Sequence, residues 1–433
     1  MSADVLIRRF ERARERLPGP FDARRRALDD LLAAGLPSRR DEAWRYMDLK
    51  PIVEGDFDVP PREPSAGVRE RVRALLDDAA SIGAEDASGR IVLVDGLLDE
   101  ELSRLGGGSG LEIVRIPPEQ PVGTRRGGGP VHPLAMLNRA FASDGVAIRT
   151  GSGVEVAQPV ELFLIASGGA RIAQHPRVAI ELGPNSRLDI VVHCVDAAPA
   201  EGWLNVAVDV TQAEGSKLAI HRLQEHGAGL HHTSLLTADV GCNATLTAAY
   251  VDLGARVARN DVDVRLAEPG ARAEIFGVFV AAPGRHVDDE IHVEHAARET
   301  SSDTAFRGIA DRTGRGVFRG KILVQPDAQK IDARQKSDNL LLADQAEIDT
   351  RPELEIYADD VKCSHGATVG EIDPEQMFYL RSRGLDEQSA RALLTFAFAN
   401  RLLQQLAPER LRERATRLVA GQLPAPPAWE EVE

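Results

Sequence analysis

A mainly β fold, with a β-solenoid core between helical segments, is predicted by three features of this 433-residue sequence. From about residue 150 onward, apolar and polar residues alternate with period two, as in "GVEVAQPVELFLI" (153–165), the pattern of strands with one buried face. Four segments there share one plan, an alternating strand, a small polar turn and a second alternating strand. Their turn centres, Asn185, Gly215, Cys242 and Gly270, are 30, 27 and 28 residues apart. A repeat of that length without intervening helices means stacked coils. Both ends of the chain instead carry the helical period. A jelly-roll sandwich is the alternative arrangement of the same strands.

Taken in order, "ADVLIRRFERARERL" and "FDARRRALDDLLAAG" place apolar residues at helical spacing, the second with Phe21, Leu28, Leu31 and Leu32 before a terminating Gly35. "VRERVRALLDD" repeats this with Val68, Val72, Leu75 and Leu76, and "GRIVLVDG" reads as a buried strand. Gly-rich patches at 106–110 and 123–130 read as loops. The alternation then runs to "PELEIYADDVKCSHGATVG". There Asp373 is a fitting N-cap, Pro374 fits the first helical position and Gln376 completes a capping-box-like spacing. Gly384 ends that helix. Asp386 caps a longer one with an apolar stripe of Leu393, Leu394, Ala397, Leu402 and Leu406, and a third helix starts at Pro408. The tail from Leu423 has a disordered composition. Three spans result: an N-terminal helical and mixed α/β domain at 1–145, a solenoid core at 146–372 and a C-terminal helical domain at 373–433. Helices at both ends would cap the solenoid.

A net charge of −15 and a pI near 5.3 disfavour a nucleic-acid partner. The Arg clusters Arg8–Arg9, Arg24–Arg26 and Arg69–Arg73 are interleaved with carboxylates and read as solvated helix faces. Three cysteines, Cys194, Cys242 and Cys363, match no zinc spacing and no disulfide framework, which fits a reduced, cytoplasmic chain. No apolar run approaches a membrane span, and the N-terminus lacks the apolar core of a signal peptide.

"GRGVFRGKI" (314–322) has the glycines and lysine of a phosphate loop but not their spacing, and Ile322 stands where a magnesium-binding Ser or Thr is needed. No ATP site is therefore expected on this chain. In "RHVDDEIHVEHAA", His286, Asp288, Glu290, His292 and Glu294 would share one strand face. A metal site is one reading; a solvated face opposite Val287, Ile291 and Val293 is preferred. Paired carboxylates of a glycoside hydrolase are conceivable in "ELEIYADD". In "DDVKCSHGATVG", Cys363 and His365 are two apart and so share a strand face, near Asp359 and Asp360. Thiolate and imidazole suit iron–sulfur clusters, copper(I) or zinc, while an inert packed thiol and a hydrogen-bonded histidine are the plainer reading. Two side chains are too few for a closed site, so a metal here needs ligands from a second chain. Beyond it, Phe378, Tyr379 and Leu385 beside Arg381 and Arg383 have the composition of a binding hot spot.

The stretch from "VFRGKILVQPDAQKIDARQKSDNLLL" through "DDVKCSHGATVGEIDPEQMFYLRSRGLDEQSARALL" closely resembles the C-terminal core of the SufB/SufD family, scaffolds of SUF iron–sulfur cluster assembly, without a break from about Gly316 to Phe398. "RRDEAWRYMDLKPI" (39–52) resembles the family's start, and "DDVKCSHGATVG" resembles the SufD branch. The resemblance implies a right-handed parallel β-helix and a SufB–SufD heterodimer. It also implies two copies of SufC, an ABC-type ATPase, bound at the C-terminal helices. It further implies that His365, with Cys363 as neighbour, lies near the SufB interface where transient iron or a nascent cluster is shared. The chain itself is then a non-catalytic scaffold, with ATP hydrolysis supplied by SufC. A flavin in the complex and a homodimer of the lone chain are left open by the resemblance. The alternatives are a SufB-like scaffold, disfavoured by so few cysteines, and a carbohydrate-active β-helix enzyme, disfavoured by 4% aromatic content. The Gly-rich patches depart from the family pattern.

Overall fold

The computed structural model describes residues 2–77, 86–106, 108, 110–117, 131–169 and 171–423. The Gly-rich stretch 123–130, Gly107 and Ser109 of the other patch, and the tail beyond Leu423 lie outside the described residues. The chain opens with helices α1 (Ser2–Ala13), α2 (Phe21–Ala34), α3 (Lys50–Val53) and α4 (Ala66–Asp77), followed by strands β1 (Gly89–Val94), β2 (Leu97–Leu98) and β3 (Leu111–Arg115) and by helix α5 (Pro133–Phe141). Then come β4 (Gly145–Thr150), β5 (Val160–Ala166), β6 (Ile172–Gln174), β7 (Arg177–Leu182) and β8 (Arg187–Asp196). They continue as β9 (Gly202–Gln212), β10 (Lys217–Gln224), β11 (Leu230–Val240), β12 (Thr245–Asp252), β13 (Val257–Leu266) and β14 (Arg272–Ala281). The last coils are β15 (His286–His295), β16 (Ser301–Ala310), β17 (Arg315–Val324), β18 (Ile331–Leu341), β19 (Glu347–Ile356) and β20 (Val361–Gly370). Three helices close the chain, α6 (Pro374–Ser382), α7 (Glu387–Leu403) and α8 (Glu409–Gln422).

From β7 on, each coil contributes one strand to each of two sheets, ordered β19-β17-β15-β13-β11-β9-β7-β4-β3 and β2-β1-β5-β8-β10-β12-β14-β16-β18-β20. Successive coils pair in parallel and in register, which is a solenoid of about eight turns and not a jelly roll. The repeat works because each turn must reverse the chain and also stack on its neighbour. Asn185, Gly215, Asn243 and Gly270 take left-handed backbone conformations there, so the third turn centres on Asn243, one residue past Cys242. Gly215 is doubly constrained: φ is +67°, and a Cβ would lie 2.3 Å from the Asn185 side-chain oxygen of the preceding coil. Inside, Leu188 and Ile190 stack on Leu218 and Ile220, then on Leu246 and Ala248, then on Ala273 and Ile275. Each Leu or Ile of this stack contributes about 2 kcal/mol by leaving water.

The helices lie along the flanks of the solenoid, not across its ends as the sequence suggested. Leu6, Phe10, Leu28, Leu31, Met47 and Phe141 form a cluster with Trp203 of β9. Helix α4 sets Val72 and Leu76 against Val92, Phe163 and Val195 of the other sheet. Helices α7 and α8 cover that same sheet further on, through Leu402, Leu403, Leu406, Leu411 and Val419 against Leu223, Val251, Phe276, Val278 and Ile309. Of the expected stripe, Leu402 and, just past the end of α7, Leu406 are buried; Leu393 and Leu394 are half-buried, Ala397 is exposed, and Ala392, Phe396, Ala399 and Leu403 complete the buried side. The small residues Ala392 and Ala399 face inward because they let the helix approach. No helix of the described residues is long and apolar enough to cross a membrane.

Three histidines are held neutral by this packing. His175 stacks on Phe141 and meets Trp203 edge-on, His221 lies within β10, and His295 bonds the hydroxyls of Thr300 and Ser302 at 2.8 and 2.9 Å. Burial pushes them down, to about 3, 4 and 4 respectively, with Arg9 and Arg24 adding to the effect at His175. A depressed histidine contributes stability above its unfolded value of about 6.5 that is lost as pH falls toward the folded value. Acidification from pH 6.5 to 4 is expected to destabilise the fold by about 1.4 kcal/mol per pH unit for each group. Urea midpoints measured across that window check this; a flat profile would contradict it.

Candidate functional site

Strand β20 ends the second sheet and pairs on one side with β18, Cys363 opposite Ala333 and His365 opposite Gln335. Ala333 and Gln335 are buried inward positions of β18, alternating with exposed Arg334 and Lys336. In-register parallel neighbours share a face, so Cys363 and His365 both stand on the inner side of the last coil. Among the described residues no further coil covers them. Cys363 is half-buried against the cluster of Ile322, Ala328, Ile331 and Ala333, and its thiol is pushed up by burial and then by the Asp332 carboxylate. His365 is exposed. Asp359 and Asp360 are exposed in the turn between β19 and β20, where the Asp360 backbone N–H donates to Gln329 Oε1 at 2.8 Å and its carbonyl accepts from Lys330. Among the described residues neither β19 nor β20 has a partner on its outer edge. Ile356, Tyr357 and Val369 lie exposed at this end, Tyr357 at 62%.

Helix α6 follows directly. The Asp373 carboxylate caps it by accepting from the Glu375 N–H at 2.8 Å, and Gly384 leaves it at φ +101°. None of its residues is buried. Phe378 is 75% and Tyr379 56% exposed; Arg383 lies over the Tyr379 ring at 5.3 Å, and Arg381 sits 3.7 Å from Glu387. Leu385 is half-buried. Ile372, Met377, Phe378 and Arg391 line a groove between α6 and α7.

Other candidates resolve differently. The stretch 314–322 runs into β17, a central strand, where Gly316 leaves room for the Phe279 ring and Gly320 for the Gln335 amide. Glu353 and Glu355 of "ELEIYADD" serve Lys321, whose Nζ lies 3.6 and 2.7 Å from them. The expected solvated face of β15 is largely covered and cross-strand paired. Asp288 is fully buried, at 2.9 Å from Arg259 Nη1, while Glu290 contacts Arg319 and His292 Nδ1 lies 2.9 Å from Asp263. The cover is the N-terminal segment: Trp44 lies 3.9 Å from the Arg259 guanidinium, and Arg319 donates to the Glu42 carbonyl at 2.9 Å. A second cluster, Cys194, His226 and His232, escaped sequence reading. The available signal was the coil period, which places Cys194 in register with Gln224, two residues before His226.

Among the described residues the last coil of this parallel β-solenoid is left open, with a thiol and an imidazole on its inner side. Residues 163–398 match the family described as SUF system FeS cluster assembly, SufBD core domain, and the chain belongs to that family. It is an iron–sulfur cluster assembly subunit. It is 31% identical to the iron–sulfur cluster assembly protein SufD of Escherichia coli (strain K12), over 92% of each chain. A SufBD family protein of Synechocystis is 29% identical, over 92% of this chain and 90% of that one. Similarity to SufB of Bacillus subtilis (strain 168) is 25% and covers 64% of this chain and 59% of that one. The resemblance to SufD thus runs the length of the molecule, and that to SufB does not.

Proposed function

We propose that this chain is the SufD-type scaffold of a SUF complex. It joins a SufB-type paralogue through the open β19–β20 end and contributes His365, with Cys363 beside it, to iron or a nascent cluster held between the two chains. The observation that carries the reading is the unpaired terminal edge with His365 exposed on its inner side. An uncovered sheet edge exposes unpaired backbone donors and acceptors, and a partner's strand satisfies them while bringing its own ligands close. The chain has no turnover of its own; a SufC-type ATPase docks on α6 and acts in the cytoplasm with it. The proposal includes no flavin. Two copies of the same edge pairing together would give a homodimer of the lone chain.

Co-expression with SufB- and SufC-type partners tests both interfaces. Lysine at Ile356 and Val369 together is expected to weaken the paralogue complex by about 30-fold or more, the cost of losing hot-spot anchors. Unchanged affinity would place that interface elsewhere. Tyr379→Ala with Arg381→Ala is expected to abolish co-purification of the ATPase without unfolding the chain, because neither side chain is buried. Retained ATPase binding would move that interface off α6.

A further inference from the structure

The Cys194, His226 and His232 cluster lies six strand spacings from β20 along the sheet, roughly 30 Å at the usual interstrand distance. Strand β8 supplies Cys194, the connection after β10 supplies His226, and β11 supplies His232. All three are buried, and one ligand atom from each falls within 4.8 Å of the others. The imidazole rings are 5.6 Å apart, centroid to centroid.

What marks the cluster is its unspent donor capacity. His226 Nδ1 sits 2.6 Å from Asp196 Oδ1, and the other Asp196 oxygen accepts from the Gly227 N–H at 2.8 Å. That contact places the His226 proton on Nδ1 and leaves a lone pair on Nε2, which has no partner. His232 Nδ1 is likewise buried without a partner. Buried polar atoms are nearly always satisfied, so two buried histidines that each keep a nitrogen without a partner, grouped with a buried thiol, call for a ligand. The neighbouring cation is already engaged: Arg222 reaches both Asp252 oxygens at 2.8 Å and Ser234 Oγ at 2.8 Å, and approaches His232 Nε2 only at 3.5 Å.

We propose that Cys194, His226 and His232 bind one zinc(II) ion, with Asp196 as the outer carboxylate that orients His226. One sulfur and two imidazole nitrogens are the donor set of a borderline-soft cation, and a carboxylate behind a ligating histidine is the usual support for such a centre. Charge agrees: zinc displaces the thiol proton, and its two positive charges meet one thiolate and the Asp196 carboxylate, so the buried group is neutral overall. The site is separate from the edge that carries His365, and the proposal does not depend on the reading of that edge.

The full-length chain, purified anaerobically and stripped with chelator, is titrated with zinc(II) against a chromophoric competitor, both natively and during refolding. Cobalt(II) serves as the spectroscopic probe. The expected result is one ion per chain, a thiolate-to-cobalt charge-transfer band, and the same binding in the Cys363→Ser, His365→Ala double variant. Cys194→Ala, a small-for-small change in the core, is expected to remove the band and weaken zinc at least 100-fold; Asp196→Asn is expected to weaken it about 10- to 100-fold. If Cys194→Ala fails to fold, the wild-type cobalt spectrum decides, since absence of the thiolate band overturns the proposal. Absence of binding in wild type, or binding that follows Cys363 and His365 instead of Cys194, overturns it as well.

Discussion

His365→Ala is expected to leave the fold and the complex intact while cutting cluster formation by at least an order of magnitude. The side chain is exposed on the terminal strand, so its truncation opens no cavity and should change stability by no more than about 0.5 kcal/mol. In the proposed role His365 is one ligand of a site shared between two chains, and the loss of one ligand leaves an incomplete coordination sphere. Cys363→Ser is expected to be milder, because that thiol is half-buried against the aliphatic residues of the last coils and burial holds it protonated. Anaerobic reconstitution followed by visible absorbance, with the partners' ATPase rate as control, checks the pair. Wild-type cluster yield from His365→Ala would make "KCSHGATVG" a purely structural end to the solenoid.

Arg259→Met is expected to cost about 3–5 kcal/mol, because it strands buried carboxylates. The guanidinium is fully buried and binds Asp261 through two nitrogens, at 2.6 and 2.9 Å, and Asp288 at 2.9 Å. Burial alone would raise Asp261, yet the Arg259 charge, with His132 at 3.5 Å, holds it well below the usual carboxylate range. Replacing Asp261 and Asp288 by Asn in the same chain is expected to return part of the loss, since no uncompensated charge remains. Because Trp44 lies on Arg259, the single variant should also expose residues 39–53 to protease. Urea unfolding and limited proteolysis read both effects. A loss below about 1 kcal/mol would mean that the network is solvated in a way its burial does not indicate.

Much of this molecule was legible without coordinates, wherever structure follows from local rules. Alternation at "RVAIELGPNSRLDIVV" and turn spacings near 28 residues determine coils, because strand side chains have period two and a stacked turn needs Asn or Gly in a left-handed conformation. Caps at Asp373 and Asp386 and the stop at Gly384 were equally readable, since a helix end is satisfied by residues next to it. The shared face of Cys363 and His365 followed from their spacing alone. Tertiary structure decided what lies on top of each face. Alternation marks two sides of a strand but does not say which helix covers the outer one, so β15 read as solvated although Trp44 and Glu42, more than 240 residues earlier, bury its Asp288. The buried side of α7 was only partly legible for the same reason: Leu402 and Leu406 are buried as expected, but small Ala392 and Ala399 face the sheet in place of Leu393, Leu394 and Ala397, because close approach, not maximal apolarity, governs that contact. Cys194, His226 and His232 meet only because successive coils stack, which turns a separation of about 30 residues along the chain into one interstrand spacing in the fold.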